Sequence, residues 1–400
     1  MTNYLIRRAL QMVLVVFVST IVIYTILQIA PGGPLDGLGR QNGDQKSEIS
    51  DAQRQRMEQN LGLNRPGYLR YLGWAVGEYW IDELGDILGN PGDPETQLFI
   101  TGTWSDYQSP TCQEAGGTNA GFVVADGLSR PCARGIVLFD FGESWSVAPG
   151  RQVIDILADR VPPTVRLLTT VVILSLVVAI PIGIISAVRQ YSVLDYIVTT
   201  FGFFGISMPV FWFGLMLIIL FGQKFRELGL PFFPSGGTNS FPRVARGSLQ
   251  DFLAIDPGSA GDYAVHLVLP TIMLTLVYLA GWSRFMRASM LEVLRQDYVR
   301  TARAKGLRER TVIYRHAARN ALIPLITIIV FQIPGIFSGA VLTESVFSYP
   351  GMGRLFIDAL GRNDWPIVMG FLYINAILVV IATLIGDVLY TIVDPRIRFE

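Results

Sequence analysis

Long apolar runs separated by short arginine-dense segments are what most restrict the folds open to this 400-residue chain. Charge is sorted along the sequence, not mixed. The 32 basic and 32 acidic residues cancel, yet charged residues are only 16% of the chain and apolar ones 51%. Soluble domains carry about a quarter charged residues. Lipid accepts the apolar runs and rejects the charged ones, so the pattern predicts an integral membrane protein. Crossing a hydrocarbon core of about 30 Å takes about 20 apolar residues in a helix, and backbone groups in lipid must bond internally. The expected fold class is therefore all-α, with six transmembrane helices over about residues 9–30, 165–188, 196–221, 266–286, 321–346 and 367–393. The first run follows Arg7 and Arg8 and stops at Pro31-Gly32-Gly33-Pro34. It exceeds the core of about 7–15 residues typical of a signal peptide, which predicts an uncleaved first helix.

Orientation follows from the arginines. Between spans four and five stand Arg284, Arg287, Arg295, Arg300, Arg303, Lys305, Arg308, Arg310, Arg315 and Arg319, against Glu292, Asp297 and Glu309. A short loop this basic belongs on the cytoplasmic side. Parity then puts Arg7, Arg8, Arg189, Arg396 and Arg398 inside as well, with both termini cytoplasmic. Arg284, Arg287 and Arg295 are expected to snorkel toward anionic lipid.

The same parity sends residues 31–163 outside as one extracytoplasmic region, followed by a membrane core over 164–400 with the remaining five spans. The outer region is punctuated by Asn90-Pro91-Gly92, Gly116-Gly117 and Ala148-Pro149-Gly150 and carries Trp74, Tyr79, Trp80, Trp104 and Trp145. That composition predicts a small folded unit, helical from Asp51 to about Leu88 and made of loops and short strands beyond. Cys112 and Cys132, the only cysteines, both fall in it. They are too few for a disulfide framework or a four-ligand zinc site, leaving one bridge or two free thiols.

Several chemistries are excluded. No Gly-Lys dipeptide occurs, so the chain has no Walker-type phosphate loop. The two histidines, His266 and His316, form no His-Glu-x-x-His pair, and no Gly-x-Ser-x-Gly elbow is present. No catalytic or metal-binding residue is expected, nor any nucleic-acid partner.

The most particular stretch runs from Asp297-Tyr298-Val299-Arg300-Thr301-Ala302-Arg303-Ala304-Lys305-Gly306-Leu307 to Arg319-Asn320-Ala321-Leu322-Ile323-Pro324. Met290 to Ala304 favours helix, Gly306 suits a left-handed cap, and a second helical piece follows from Glu309 to Asn320. The prediction is a helix–turn–helix elbow, about 289–320, projecting into the cytoplasm. Small Ala302 and Gly306 would let another protein approach.

This string resembles the EAA loop of permeases in ATP-binding-cassette importers, and within them the dipeptide, oligopeptide and nickel branch. Other segments are similar to the same branch: Tyr4-Leu5-Ile6-Arg7-Arg8 with Pro31-Gly32-Gly33-Pro34, Gly205-Ile206-Ser207-Met208-Pro209-Val210-Phe211-Trp212, Phe347-Ser348-Tyr349-Pro350-Gly351-Met352-Gly353-Arg354-Leu355, and Tyr390-Thr391-Ile392-Val393-Asp394-Pro395-Arg396. Residues 89–147 look longer than is typical and read as a lineage-specific insert. The Glu-Ala-Ala positions stand here as Arg300-Thr301-Ala302, so the family's acidic contact is not carried over.

The resemblance implies a permease subunit of an importer in a bacterial or archaeal inner membrane. Tyr298, Arg300, Thr301, Ala302, Arg303, Lys305, Gly306 and Leu307 would form a coupling helix docked on an ATPase. ATP and magnesium would be bound by those partner ATPase subunits, with no cofactor in this chain. Further implied partners are a homologous second permease, an extracytoplasmic solute-binding protein, membrane lipid and a peptide substrate. A nickel or other small-solute importer shares these motifs. An ion-coupled secondary transporter should show inverted repeats and midplane charges, and neither is evident.

Polar or helix-breaking residues inside spans are candidates for the translocation pathway: Ser207, Met208, Pro209, Gln332, Ser338 and Asn375. Interhelical hydrogen bonding is the other role open to the polar ones. Pro209 should kink span three, Gly335 and Gly339 suit helix packing, and Glu344 and Asp387, near span ends, suit paired structural roles.

Overall fold

The apolar runs place the long helices; Pro209 ends one, while Pro162, Pro163, Pro181 and Pro270 sit inside others. A computed structural model describes residues 2–29, 67–77, 135–240, 242–338 and 340–393. Every regular element among them is helical, with two isolated β-bridges, Glu143–Gln152 and Phe232–Ser248. The architecture is that of an all-α membrane protein. Cys112, Cys132, Asp51 and most of residues 89–147 lie outside the described residues.

The helices are α1 (Thr2–Ile29), α2 (Gly67–Val76), α3 (Val153–Val188), α4 (Val193–Ser207) and α5 (Val210–Leu217). After them come α6 (Ala260–Leu294), α7 (Asp297–Ala304), α8 (Arg319–Ser338), α9 (Val341–Val346), α10 (Met352–Gly361) and α11 (Trp365–Val393). Among the described residues, four stretches are long and apolar enough to cross a membrane: Leu10–Ile29, Val153–Val188, Ala260–Leu294 and Trp365–Ile385.

Three boundaries differ from the sequence expectation. Helix α3 begins at Val153 because Val153, Ile156 and Leu157 are buried and extend the helix ahead of its apolar run. Span three is broken instead of kinked. Pro209 is extended (φ −58°, ψ 123°) and caps α5, while α4 stops at Ser207. Proline lacks an N–H and disfavours helix in the residue before it. The fifth run likewise ends at Ser338, and α9 resumes after Ala340, whose ψ of 76° is non-helical.

The chain forms two compact units. One comprises Met1–Leu5, Arg160–Arg354 and Leu378–Glu400; the other comprises Ile6–Asp159 and Leu355–Ile377. Among its described residues the first unit has two apolar clusters on its long helices. One joins Leu167, Leu168 and Val171 of α3 to Leu217, Leu269, Met273, Leu274, Phe347 and Tyr349. The other, farther along the same helices, gathers Ala179, Ile184 and Ala187 of α3 with Trp282, Met286 and Met290 of α6, and takes in Val299, Ala302, Val312, Ala317, Ala318, Ala321 and Leu325. Beside the first cluster, fully buried Glu344 accepts from Thr164 Oγ1 (2.9 Å) and the Arg354 N–H (3.0 Å). Thr164 Oγ1 also accepts from the Met352 N–H at 2.8 Å. Glu344 thus has the paired structural role expected of it, tying the start of α10 to α3. A Cβ at Gly351 would lie 2.4 Å from the Glu344 carboxyl carbon, so a larger residue there would have to displace that hydrogen-bonded group.

In the second unit, α2 docks on α1 through Tyr24, whose ring lies 5.5 Å from Tyr71 and 5.9 Å from Trp74. Much of α1 otherwise presents apolar side chains outward, among them Leu10, Val13, Leu14, Phe17 and Val18. The stretch after residue 134 is firmly held. A Cβ on Gly135 (φ 88°) would lie 2.4 Å from the Gly77 nitrogen, so these two backbones touch. Phe139 and Phe141 pack on Tyr373 at 6.1 and 6.0 Å. Asp364, buried ahead of α11, accepts from the Ser144 hydroxyl (2.6 Å) and from the Ser146 and Val147 N–H groups (2.9 Å each).

Candidate functional site

The basic elbow grows out of α6. That helix ends at Leu294, Arg295 stays helical, and extended Gln296 (φ −72°, ψ 149°) turns the chain into α7. Asp297 sits in the first turn of α7 and Arg303 in the last, each favourable to the helix dipole. At the exit, the Gly306 N–H donates to the Arg303 carbonyl (2.9 Å) and the Leu307 N–H to the Ala302 carbonyl (3.4 Å). This is a Schellman cap, and Gly306 has the left-handed φ of 74° that it demands. The expected left-handed stop is therefore present.

The return arm is one continuous helix: Glu309–Thr311, then a π-helical stretch Val312–Ala318, then α8. Two polar ties close the elbow. Arg303 grips Glu309 from Nε (3.2 Å to each oxygen) and Nη2 (2.8 Å). This hydrogen-bonded guanidinium holds the Glu309 carboxyl below the usual carboxylate range, and Glu309 raises Arg303 in turn. The Asn320 amide donates to the Tyr298 hydroxyl at 2.8 Å.

Helix α7 is two-faced. Val299 and Ala302, one turn apart, are buried in the apolar cluster with Met290, Val312 and Ala317. Ala302 is thus not part of an approach surface. The spacing that makes it small and central also turns it toward the chain's own core. Outward stand Tyr298, Arg300, Thr301, Arg303, Lys305, Gly306 and Leu307. Leu307 is 41% exposed, and a Cβ at Gly306 would meet nothing within 4 Å. Thr301 donates back to the Asp297 carbonyl (2.9 Å), and Arg300 lies 3.7 Å from the exposed Asp297 carboxylate. Beside α7, Arg310, Thr311, Tyr314 and Arg315 line a shallow cavity of about 420 Å³. An outward surface of this kind, basic with one apolar tip, suits a protein partner that supplies an acidic, concave face.

Ser207 and Pro209 are exposed at the α4–α5 break, with Met208 half-buried between them. Asn375 belongs to the other unit and donates to the Phe371 carbonyl of its own helix (3.0 Å). Gln332 and Ser338 lie on α8, with their side chains outside the described residues; Gly339 and the Asp387 side chain are outside them too. Among the described residues no group of three His, Cys, Asp or Glu could hold a metal ion.

One feature went unread in the sequence. Arg287 does not snorkel. Its Nε and Nη2 donate to the two carboxylate oxygens of Asp195 at 2.8 and 2.9 Å, and the Asp195 side chain is only 5% exposed. Asp195 also accepts from the Ser186 hydroxyl and from the Tyr191 N–H (3.0 Å). The available signal was a lone acid at the start of an apolar run.

Residues 179–399 match the family described as binding-protein-dependent transport system inner membrane component, a range that includes the whole elbow. Over 399 residues, all of both chains, the sequence is 34% identical to the oligopeptide transport system permease protein AppB of Bacillus subtilis. It is 30% identical over 407 residues, again all of both chains, to the di/tripeptide transport system permease protein DppB of Pseudomonas aeruginosa. It is 40% identical over 248 residues to the dipeptide transport system permease protein DppB of Escherichia coli K12, covering 60% of this chain and 72% of that one.

Proposed function

The chain belongs to the family of binding-protein-dependent transport system inner membrane components, and from that premise we propose that it is a permease subunit of an ATP-driven peptide importer. It is a multi-pass membrane transport component and not an enzyme. The observation that carries the mechanistic reading is the division of α7 into two faces. Val299 and Ala302 root it in a core shared with α3, α6 and α8, while Tyr298, Arg300, Thr301, Arg303, Lys305, Gly306 and Leu307 face outward.

In this reading the outward face docks on an ATPase subunit that binds ATP and magnesium. A displacement of α7 is then delivered through the buried face to the long helices, because a close-packed core transmits shifts instead of absorbing them. Energy enters as motion, and the chain itself hydrolyses nothing. The α4–Pro209–α5 and α8–α9 breaks count as two interrupted spans, which with the four long helices gives six. The basic elbow is cytoplasmic by the distribution of arginine, and both termini lie on its side. A second permease completes the pathway, and a solute-binding protein delivers the peptide from outside. The exposed Ser207, Met208 and Pro209 break is the candidate lining among the described residues.

The test is reconstitution in liposomes with the second permease, the ATPases and the binding protein. Peptide uptake should require ATP, and Leu307→Asp should abolish ATPase docking while leaving the chain folded. Uptake that persisted at the wild-type rate in Leu307→Asp would overturn the assignment of the docking face.

A further inference from the structure

The apolar cluster that roots α7 contains residues of α3, α6, α7, the π-helical arm and α8, and none of its described members comes from α4. Helix α4 packs along α6 instead, with small residues among the contacts. A Cβ placed at Gly202 or Gly205 would sit 3.6–3.8 Å from its nearest atoms on Ala280 and Leu276. Glycine at these two positions lets the two backbones approach closely. At its far end α4 stops at the Pro209 break.

Its near end is pinned. Arg287 lies on α6 about three turns before α7 and grips Asp195 with both prongs of its guanidinium. The same carboxylate takes a hydrogen bond from Ser186 on α3 and another from the N–H of Tyr191, which it holds in a left-handed conformation (φ 63°). The Ser192 hydroxyl completes the node by accepting from the Asp195 N–H at 3.3 Å. One buried carboxylate thus joins α3, the 189–192 turn, α4 and α6. At the same level α3 and α6 are in backbone-close contact, since a Cβ on Gly183 would lie 2.6 Å from the Met286 Cβ. Burying such a pair gives little net stability over an apolar substitute, but its bidentate geometry fixes one relative orientation.

We infer that Asp195 and Arg287 are positioning residues that make α4 move with the coupling elbow, so that motion of α7 reaches the Pro209 break. The inference rests on α7 being the ATPase-docking helix. Without the clasp, α7 still moves α3, α6 and α8, but the polar tie that fixes the start of α4 against α3 and α6 is gone.

The experiment compares wild type, Asp195→Asn, Arg287→Met and Arg287→Lys in the full importer in liposomes. It measures the ATP hydrolysed per peptide imported by assembled complexes. Asp195→Asn and Arg287→Met should raise that ratio roughly tenfold with the ATPases still bound. Arg287→Lys, which keeps the charge but not the fork, should fall between them and wild type. A wild-type ratio in both Asp195→Asn and Arg287→Met overturns the inference. So does a parallel fall of hydrolysis and uptake, which marks a stabilising pair only. If those two fail to accumulate, the lysine variant decides: a wild-type ratio there refutes the clasp. A wild-type complex that hydrolysed ATP without importing peptide would sink the importer reading alone. The clasp would then stand or fall on whether Asp195→Asn removes the stimulation of hydrolysis by the binding protein.

Discussion

Replacing Gly351 by alanine should damage this protein more than replacing Gly306, although Gly306 lies in the more recognisable motif. At Gly306 only the backbone objects. The site is open, and the left-handed φ of 74° costs a residue with a Cβ about 1–2 kcal/mol. At Gly351 the new Cβ would lie 2.4 Å from the Glu344 carboxyl carbon, where carbon atoms normally sit about 3.5–4.0 Å apart. The carboxyl group must therefore retreat by more than about 1 Å. Its hydrogen bonds from Thr164 and Arg354, now 2.9 and 3.0 Å, would stretch past the useful limit of about 3.2 Å. Each buried donor so orphaned costs about 1–3 kcal/mol, giving about 2–6 kcal/mol together. Membrane abundance and the rate of heat inactivation in nanodiscs measure this without assuming reversibility. Gly351→Ala should be depleted and inactivate faster, with Gly306→Ala near wild type. Equal abundance of the two, or the reverse order, would refute the claim that Glu344 is locked against α10.

Val299→Ala should cost about 2 kcal/mol, from two buried methyl groups and the cavity left behind, and should lower transport even where ATPases still bind in a pull-down. Glu309→Gln should lose less than about 1 kcal/mol because the Arg303 pair is exposed. Since Glu309 is depressed in the folded state, its contribution is present above the range of a free glutamate, roughly pH 5, and disappears as pH falls through the depressed value. A melt series from pH 7 downward should show this small increment in wild type and not in Glu309→Gln. Pro209→Ala restores a backbone N–H and access to helix at Met208. Uptake should fall with abundance unchanged, and normal uptake would remove the break from the mechanism.

Much of this architecture is legible in the sequence because membrane helices depend on local rules. Apolar run length and arginine placement locate the helices, and Gly306 announces its cap because few other residues tolerate that φ. Where the reading failed, the deciding contact was distant in sequence. Arg287 looked like any interfacial arginine, since its partner Asp195 lies at another helix start. Ala302 looked like a gap left for a partner, since hydropathy does not show which face of a short helix is inward. Pro209 announced an irregularity, but whether a proline bends or ends a helix depends on what packs around it. Gly351 had no local reason to be glycine; its reason is the Glu344 carboxyl group.

Gly77 and Gly135, the described residues on either side of 78–134, lie in backbone contact. From residue 135 onward the chain is fastened by Phe139, Phe141 and the Asp364 node. Loop closure depends only weakly on loop length, so two ends this close can be joined by a chain of very different length. The junction is in effect a socket. A two- or three-residue linker should close it, and a folded reporter or affinity domain with neighbouring termini should plug into it. A trim that ran on to residue 147 would instead pull out the fastening itself.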